Sequence, residues 1–281
     1  MQRRLIVNAD DFGLDPAINR GIAESFRNGI VTSASLLACG IAFDEAVRLA
    51  KEDEDMGVGI HLALNEEAPV LSPDRIMTLI DPRTRTLWEL PVFLRRYLFG
   101  KIDLAQVRSE LKAQMEKAFG SGLKFTHLDG HKHIHMLPGV LNIVLELAKR
   151  FGISRLRVSK TGWHHTLRST KMQRAVGAAV LTVMADLQLG KVRRYGVDTP
   201  DYSEGVINSG GLDEKILLGI LNALPLGNGE LFCHPGLTTN SWQARYKWKY
   251  NWASELKALT SPAVKTLVKD LNIQLIHYDE I

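Results

Sequence analysis

The sequence predicts an α/β fold in which about seven parallel strands alternate with helices, wound as a (β/α) barrel or as a doubly wound sheet. Three observations predict it. Short, β-rich apolar runs alternate with stretches of helical periodicity along the 281 residues. The helical stretches begin at Asp, Ser or Pro and end at Gly, as capped helices do. Aspartates and histidines fall at or just past the ends of four of the runs, the strand edge where α/β folds carry their sites.

Residues 4–8 (RLIVN) form the first buried strand. Asp15 caps a helix that starts at Pro16, runs through Ile18, Ile22 and Phe26, and stops at Gly29. A second strand covers 31–37, a helix 43–50, and a third strand 56–62 (MGVGIHL). Asp103 caps a helix whose inward face is Leu104, Val107, Leu111, Met115 and Phe119, closed by Gly120 and Gly122. A strand at 124–129 (KFTHLD) precedes Gly130. Pro138 opens a helix with Leu141, Val144, Leu145 and Ala148 inward, ended by Gly152. Residues 156–159 make a short strand. Asp213 caps a helix with Ile216, Leu217, Ile220 and Leu221, and 230–233 is a strand ending at His234-Pro235-Gly236. Ser261-Pro262 opens the last helix and 273–277 is the last strand. Segments 63–100 and 160–212 break the alternation and read as insertions in a single domain spanning 1–281.

Composition narrows the function. With 45% hydrophobic and 23% charged residues the chain is an ordinary globular one. Two cysteines, Cys39 and Cys233, exclude a disulfide scaffold or a four-cysteine zinc module. No apolar run approaches the roughly 20 residues that a membrane span needs, so none is expected. The N-terminal apolar stretch is only 5–7, which points to a cytoplasmic protein. Net charge is +4 with the charges dispersed, which gives no footprint for nucleic acid. G-x-S-x-G, Rossmann and P-loop motifs are absent.

The polar residues point to metal chemistry. Asp10 and Asp11 follow the first strand. Adjacent strand residues face opposite ways, so both reach one site only if the backbone bends there, as Gly13 permits. The stretch 127–135 (HLDGHKHIH) places His127, Asp129, His131, His133 and His135 at alternate positions, on one face if extended. One catalytic ion takes about three protein ligands, so the remainder would support the ligands by binding their second ring nitrogens. His61 alone reads as a core histidine, and His234 alone is ambiguous. Each becomes a candidate because other strands end in Asp and His. Two histidines and one carboxylate suit zinc, manganese, iron, cobalt or nickel better than magnesium. A second carboxylate as base and a histidine as acid would complete a site for metal-assisted hydrolysis.

LIVNADDFG, NGIVTSAS, GIHLALN and THLDGHKHIHMLP resemble the YdjC-type carbohydrate deacetylases, which include chitooligosaccharide deacetylase. The likeness is dense from 4 to about 160 and resumes at LFCHPG. The branch it most resembles is the hopanoid-biosynthesis deacetylases, HpnK. The resemblance implies a distorted (β/α) barrel similar to the NodB-like polysaccharide deacetylases and one divalent metal ion, zinc or magnesium. It implies Asp11, His61 and His131 as metal ligands, Asp10 as the base that activates water, and His234 as the acid that protonates the leaving amine. Asn8, His127, Asp129, His135 and Arg157 are expected to support these groups or touch substrate. The implied activity is N-deacetylation of an N-acetylglucosamine glycan or glycolipid, including an N-acetylglucosaminyl hopanoid. The alternatives are a chitooligosaccharide substrate, a phosphoesterase on the same ligands, or a catalytically silent sugar-binding barrel.

The apolar run 175–185 is flanked by Lys171, Arg174, Lys191, Arg193 and Arg194, and 93–101 (FLRRYLFGK) is also apolar and basic. These segments suit a lipid-linked substrate at the inner face of a membrane, or else a buried helix and a homodimer contact. Trp242, Trp248, Tyr250 and Trp252 are candidates for stacking on sugar faces.

Overall fold

The computed structural model describes residues 2–161, 172–237, 248 and 250–281, with the backbone alone for 172–174. Lys171, Trp242 and the Arg174 side chain lie outside the described residues. Seven parallel strands form one sheet: β1 (Arg3–Phe12), β2 (Ser33–Leu36), β3 (Gly57–Leu62), β4 (His127–Gly130), β5 (Tyr202–Glu204), β6 (Gly227–Cys233) and β7 (Gln274–Ile276). Their order is β4-β3-β2-β1-β6-β5, and β7 pairs with the first half of β1. The helices are α1 (Pro16–Asn28), α2 (Phe43–Glu52), α3 (Leu90–Leu98), α4 (Leu104–Gly120), α5 (Val140–Phe151), α6 (Met172–Arg194), α7 (Glu214–Ala223), α8 (Trp252–Leu259) and α9 (Pro262–Asp270).

The sheet curls into a distorted barrel. The expected strand at 156–159 is reduced to isolated bridges, Leu128 with Leu156 and Arg155 with Asp198. These bridges link β4 toward β5 across the gap. Among the described residues, segment 160–212 holds β5 and α6, and 63–100 holds α3.

Strand periodicity sorts the interior. Along β1, Leu5, Val7 and Ala9 belong to the main aliphatic core, while Ile6 packs with Ile276 and Tyr278 in a separate cluster. Successive strand side chains point to opposite faces, so Asn8 and Asp10 share the face of Ile6. On that face the barrel interior is polar, filled by Ser35, His61, His127, Asp129, Arg157 and Glu230, all buried. The outer face packs on helices in the usual aliphatic way.

The caps expected at Asp15, Asp103, Asp213 and Ser261 form, each accepting from a backbone N–H of the first turn. One helical face differs from expectation. In α4, Leu104 is exposed and Phe119 only partly buried, whereas Glu110 and Gln114 are buried. Glu110 accepts from the backbone N–H groups of Val70 and Leu71, and Gln114 bonds both N–H and C=O of Ala63. These polar positions splint the loop after β3 to α4. Contrary to the expectation that no apolar run reaches that length, Ala175–Arg194 of α6 is long and apolar enough to cross a membrane by length and composition alone, because its few charged residues, Asp186 apart, sit at its end.

Candidate metal centre and active-site cavity

Asp11 is where β1 leaves the extended form. Its φ is +67°, a left-handed conformation rare outside glycine, and the β1–β2 register slips between Ala9 and Phe12. The bend the sequence placed near Gly13 therefore includes Asp11 itself. Asp10 stays on the lumen face, while Asp11 turns its carboxylate to the C-terminal edge of the barrel. There His131 Nδ1 lies 2.9 Å and His61 Nε2 3.5 Å from Asp11 Oδ1.

The stretch 127–135 is not extended throughout. Only 127–130 is strand. His131–Met136 is a 3-10 segment broken by Lys132 (φ 52°) and His133 (φ 59°), two consecutive left-handed residues. Such positions cost roughly 1–2 kcal/mol each outside glycine. The five alternate positions therefore separate. His127 and Asp129 point into the lumen, His131 faces Asp11, and Lys132 and His133 line the cavity above it.

Beneath the cluster runs a continuous network. Asp129 Oδ1 bonds His61 Nδ1 at 2.8 Å, and Asp129 Oδ2 accepts from Ser35 Oγ at 2.6 Å. Arg157 is fully buried and binds Asp10 through two 2.7 Å bonds, Asp129 at 2.9 Å and Glu230 at 2.8 Å. Asn8 Nδ2 donates to Asp10 Oδ1 at 2.9 Å and to Ser35 Oγ at 2.8 Å. His135 Nε2 bonds the Arg157 carbonyl at 2.9 Å, which holds the segment carrying Arg157. His127 lies deeper, stacked on Tyr278 at 3.7 Å and bonded to Thr126. Gly59 makes room for that ring, since a Cβ there would lie 2.3 Å from it.

Charge follows from burial and partners. Burial alone would raise the Asp11 carboxyl, but His131 and His61 hold it well below its ordinary value. Burial would lower His61, but Asp129 and Asp11 outweigh it and push the ring up to about 10. Burial pushes His127 down to about 3 and His135 to about 4, so both are neutral. Burial raises Glu230 to about 7 against the opposing pull of Arg157.

Among the described residues, two sets of ligand atoms within 4.8 Å of one another can hold a metal ion: Asp11, His61 and His131, and Asp10, His61 and Asp129. In the second set both carboxylates are already bound by the Arg157 guanidinium, whose positive charge opposes a cation there. The first set has no such competitor. Its His131 Nε2 is also buried without a hydrogen-bond partner among the described residues, an unmet demand at the cluster's edge. Two imidazoles and one carboxylate fit a divalent first-row ion.

The cluster opens into a cavity of about 320 Å³, lined by Asp10, Asp11, His61, His131 and His234 together with apolar and aromatic walls. His234 enters from the end of β6. Its backbone N–H donates to Glu255 Oε2 at 2.6 Å, and its Nδ1 lies 3.8 Å from that oxygen. Trp248 and Tyr250 line the cavity as stacking candidates should, whereas Trp252 is buried in the core and offers no face to a sugar. Gly177 and Leu181 of α6 and Leu90 of α3 add an apolar wall. Sequence reasoning missed Ser35, Glu230 and Glu255. Ser35 ends the NGIVTSAS stretch but carries no role there, Glu230 and Glu255 lie in no motif, and each acts through a residue distant in sequence.

Fold and site together define a distorted parallel α/β barrel with a metal-capable Asp–His–His cluster at the C-terminal edge of its strands. The chain belongs to the YdjC-like protein family, whose profile matches residues 4–270. It is 30% identical over 282 residues to the carbohydrate deacetylase of Clostridium beijerinckii, covering 99% of this chain and 100% of that one. It is 31% identical over 299 residues to the carbohydrate deacetylase of Homo sapiens, covering 99% and 91%. It is 32% identical over 286 residues to the chitooligosaccharide deacetylase of Salmonella typhimurium, covering 96% of each. Among solved structures, a protein of Enterococcus faecalis V583 assigned provisionally to cellobiose-phosphate cleavage superposes with a TM-score of 0.82 at 26% identity, covering 100% and 99%.

Proposed function

We propose that the protein hydrolyses the N-acetyl amide of an N-acetylglucosamine unit, releasing acetate and a free amino sugar. The observation that carries the proposal is the side-by-side arrangement of Asp10 and Asp11. One carboxylate joins two histidines, and the other is held apart by Arg157 and faces the same cavity. Relatives over nearly the whole chain that are named carbohydrate deacetylase or chitooligosaccharide deacetylase support the same chemistry.

Asp11, His61 and His131 would hold one divalent ion. Such an ion supplies Lewis acidity, polarising the acetyl carbonyl and making a nearby water acidic. Asp10 takes the proton of the attacking water. Its carboxylate is fixed by two guanidinium bonds and the Asn8 amide, so it needs no reorientation when the proton moves. His234 gives a proton to the amide nitrogen as the C–N bond breaks, because an amide anion is too basic to leave unaided. Glu255 holds His234 from behind through its backbone N–H. Trp248 and Tyr250 offer aromatic faces to the sugar.

We read residues 1–281 as one catalytic domain. For the substrate, Leu181, Gly177 and Leu90 favour an apolar aglycone beside the sugar. A lipid-linked glycan such as an N-acetylglucosaminyl hopanoid would use that wall and would bring the protein to the inner face of a membrane. A chitooligosaccharide is the second reading, favoured by the named relatives. Acetate release from both kinds of substrate, with and without a chelator, tests the proposal. Release from neither, with metal bound, would refute it.

A further inference from the structure

The outer faces of α3 and α6 carry side chains that the fold does not use. Leu98 is 78% exposed and Phe99 73%, at the end of α3. On α6, Val176, Val180 and Val183 are 46% to 59% exposed and Leu187 is 79% exposed. Their spacing of four, three and four residues puts them on one helix face. The opposite face of α6, with Ala178, Thr182, Ala185 and Val192, is buried against the barrel. A helix apolar on both sides but packed on only one leaves a stripe that calls for a cover.

Both helices reach one short segment of the chain. The Tyr97 hydroxyl, next to Leu98, donates to the Pro138 carbonyl. The Gln188 amide, next to Leu187, donates to the Met136 carbonyl. Both helices are therefore pinned to the segment 136–138. Exposed Leu104 meets Gly139, the next residue after it. Beside Phe99 is a cleft of about 330 Å³ lined by Arg95, Arg96 and Lys101, with no carboxylate among the described residues of its lining. Exposed Arg193 and Arg194 follow the stripe at the end of α6.

We propose that this face is a docking surface for an anionic lipid bilayer. The apolar side chains enter the boundary between headgroups and acyl chains, while the guanidinium and ammonium groups meet the phosphates. Leu90, at the other end of α3, lines the active-site cavity, so the surface lies about 12 Å from it along the helix. Gly177 and Leu181 of α6 line the same cavity, which places its mouth next to the bilayer. The surface deepens the lipid-linked reading of the substrate and rests on that reading for its purpose, but its test uses no such substrate.

The test is co-sedimentation of the full chain with vesicles of phosphatidylcholine alone or mixed with phosphatidylglycerol. Light scattering reports the oligomeric state, and turnover of N,N′-diacetylchitobiose is followed in parallel. The wild type is expected to bind the mixed vesicles, and binding should weaken as salt rises. The pair Arg95→Glu and Lys101→Glu, and separately the triple Leu98→Ser, Phe99→Ser and Leu187→Ser, should each reduce binding about tenfold or more. Turnover of the soluble substrate should stay unchanged. Vesicle binding without acetate release would sustain the surface and sink the deacetylase reading. Turnover without vesicle binding would do the reverse. Variants that convert a dimer to a monomer while wild-type protein ignores vesicles would assign the face to a second copy of the chain and overturn the proposal.

Discussion

Arg157 binds both carboxylate oxygens of Asp10 at 2.7 Å, while Asp11, the next residue, turns to His131 and His61. Two adjacent aspartates thereby acquire different electrostatic neighbours, one a fixed cation and the other a pair of imidazoles. The left-handed backbone at Asp11 makes that division possible.

The division has a direct consequence for metal content. Asp11→Ala, His61→Ala and His131→Ala are expected to lose bound metal and activity together. Asp10→Asn should keep its metal and lose turnover by about 10²–10⁴-fold, the range for a general base. Elemental analysis of the four purified variants checks this. A metal-free Asp10→Asn would reverse the assignment of the two aspartates.

Arg157 is fully buried among Asp10, Asp129 and Glu230. Arg157→Met removes the shared cation and leaves three carboxylates crowded in the lumen. Removing one partner of a buried pair costs about 3–5 kcal/mol. Urea unfolding of this variant should show a loss of at least that size, and a wild-type midpoint would contradict the network.

The histidine pH behaviour separates metal-free from metal-loaded protein. The His61 pKa is raised from 6.5 to about 10 by Asp129 and Asp11, which overcome burial. A raised folded-state pKa gives stability that is complete below the unfolded value of 6.5 and is lost as pH climbs through 10. Metal-free protein should therefore lose stability as pH rises from 6.5 to 10. Metal binding must displace that proton, so metal affinity should rise across the same range, approaching tenfold per pH unit. Urea melts in chelator and metal titrations at three pH values measure both trends. Parallel trends would contradict the placement of His61.

In the mechanism we propose, His234 protonates the leaving nitrogen. His234→Asn should lower amide turnover by about 10²-fold or more. It should have far less effect on an activated aryl acetate, whose leaving group needs no proton. Equal losses on both substrates would give His234 another task.

Much of this site is legible in the sequence because each strand end announces itself. Asp10 and Asp11, His61, His131 and His234 all follow short apolar runs, and parallel strands deliver such ends to one edge. The lumen network is not legible. Arg157 meets partners 147, 28 and 73 residues away, and no local pattern encodes those meetings. Alternation suggested a shared face for His127 to His135, but the left-handed pair Lys132 and His133 divides it. The strand expected at 156–159 (LRVS) does not form, because the irregular closure of the barrel leaves this stretch only isolated bridges. Glu255 sits on α8 without any motif and is recognisable only through its contact with His234.

The apolar wall makes a substrate prediction. Leu181 lines the cavity, whereas Val183 on the same helix faces outward. Leu181→Ser should therefore weaken turnover of a glycolipid more than that of a short chitooligosaccharide, while Val183→Ser should leave kcat/KM for the soluble substrate unchanged. Each buried CH₂ is worth roughly 0.8 kcal/mol, so losing one leucine contact would be a change of tenfold or more in kcat/KM. Equal losses on both substrates would make the wall structural.

The most direct test of the central claim is to count products. Metal-loaded protein incubated with an N-acetylglucosamine glycan should yield acetate and free amine in equal amounts. Chelator should stop the yield, added divalent metal should restore it, and Asp10→Asn that retains its metal should give almost none. Acetate without amine, or full activity from metal-loaded Asp10→Asn, would contradict the account.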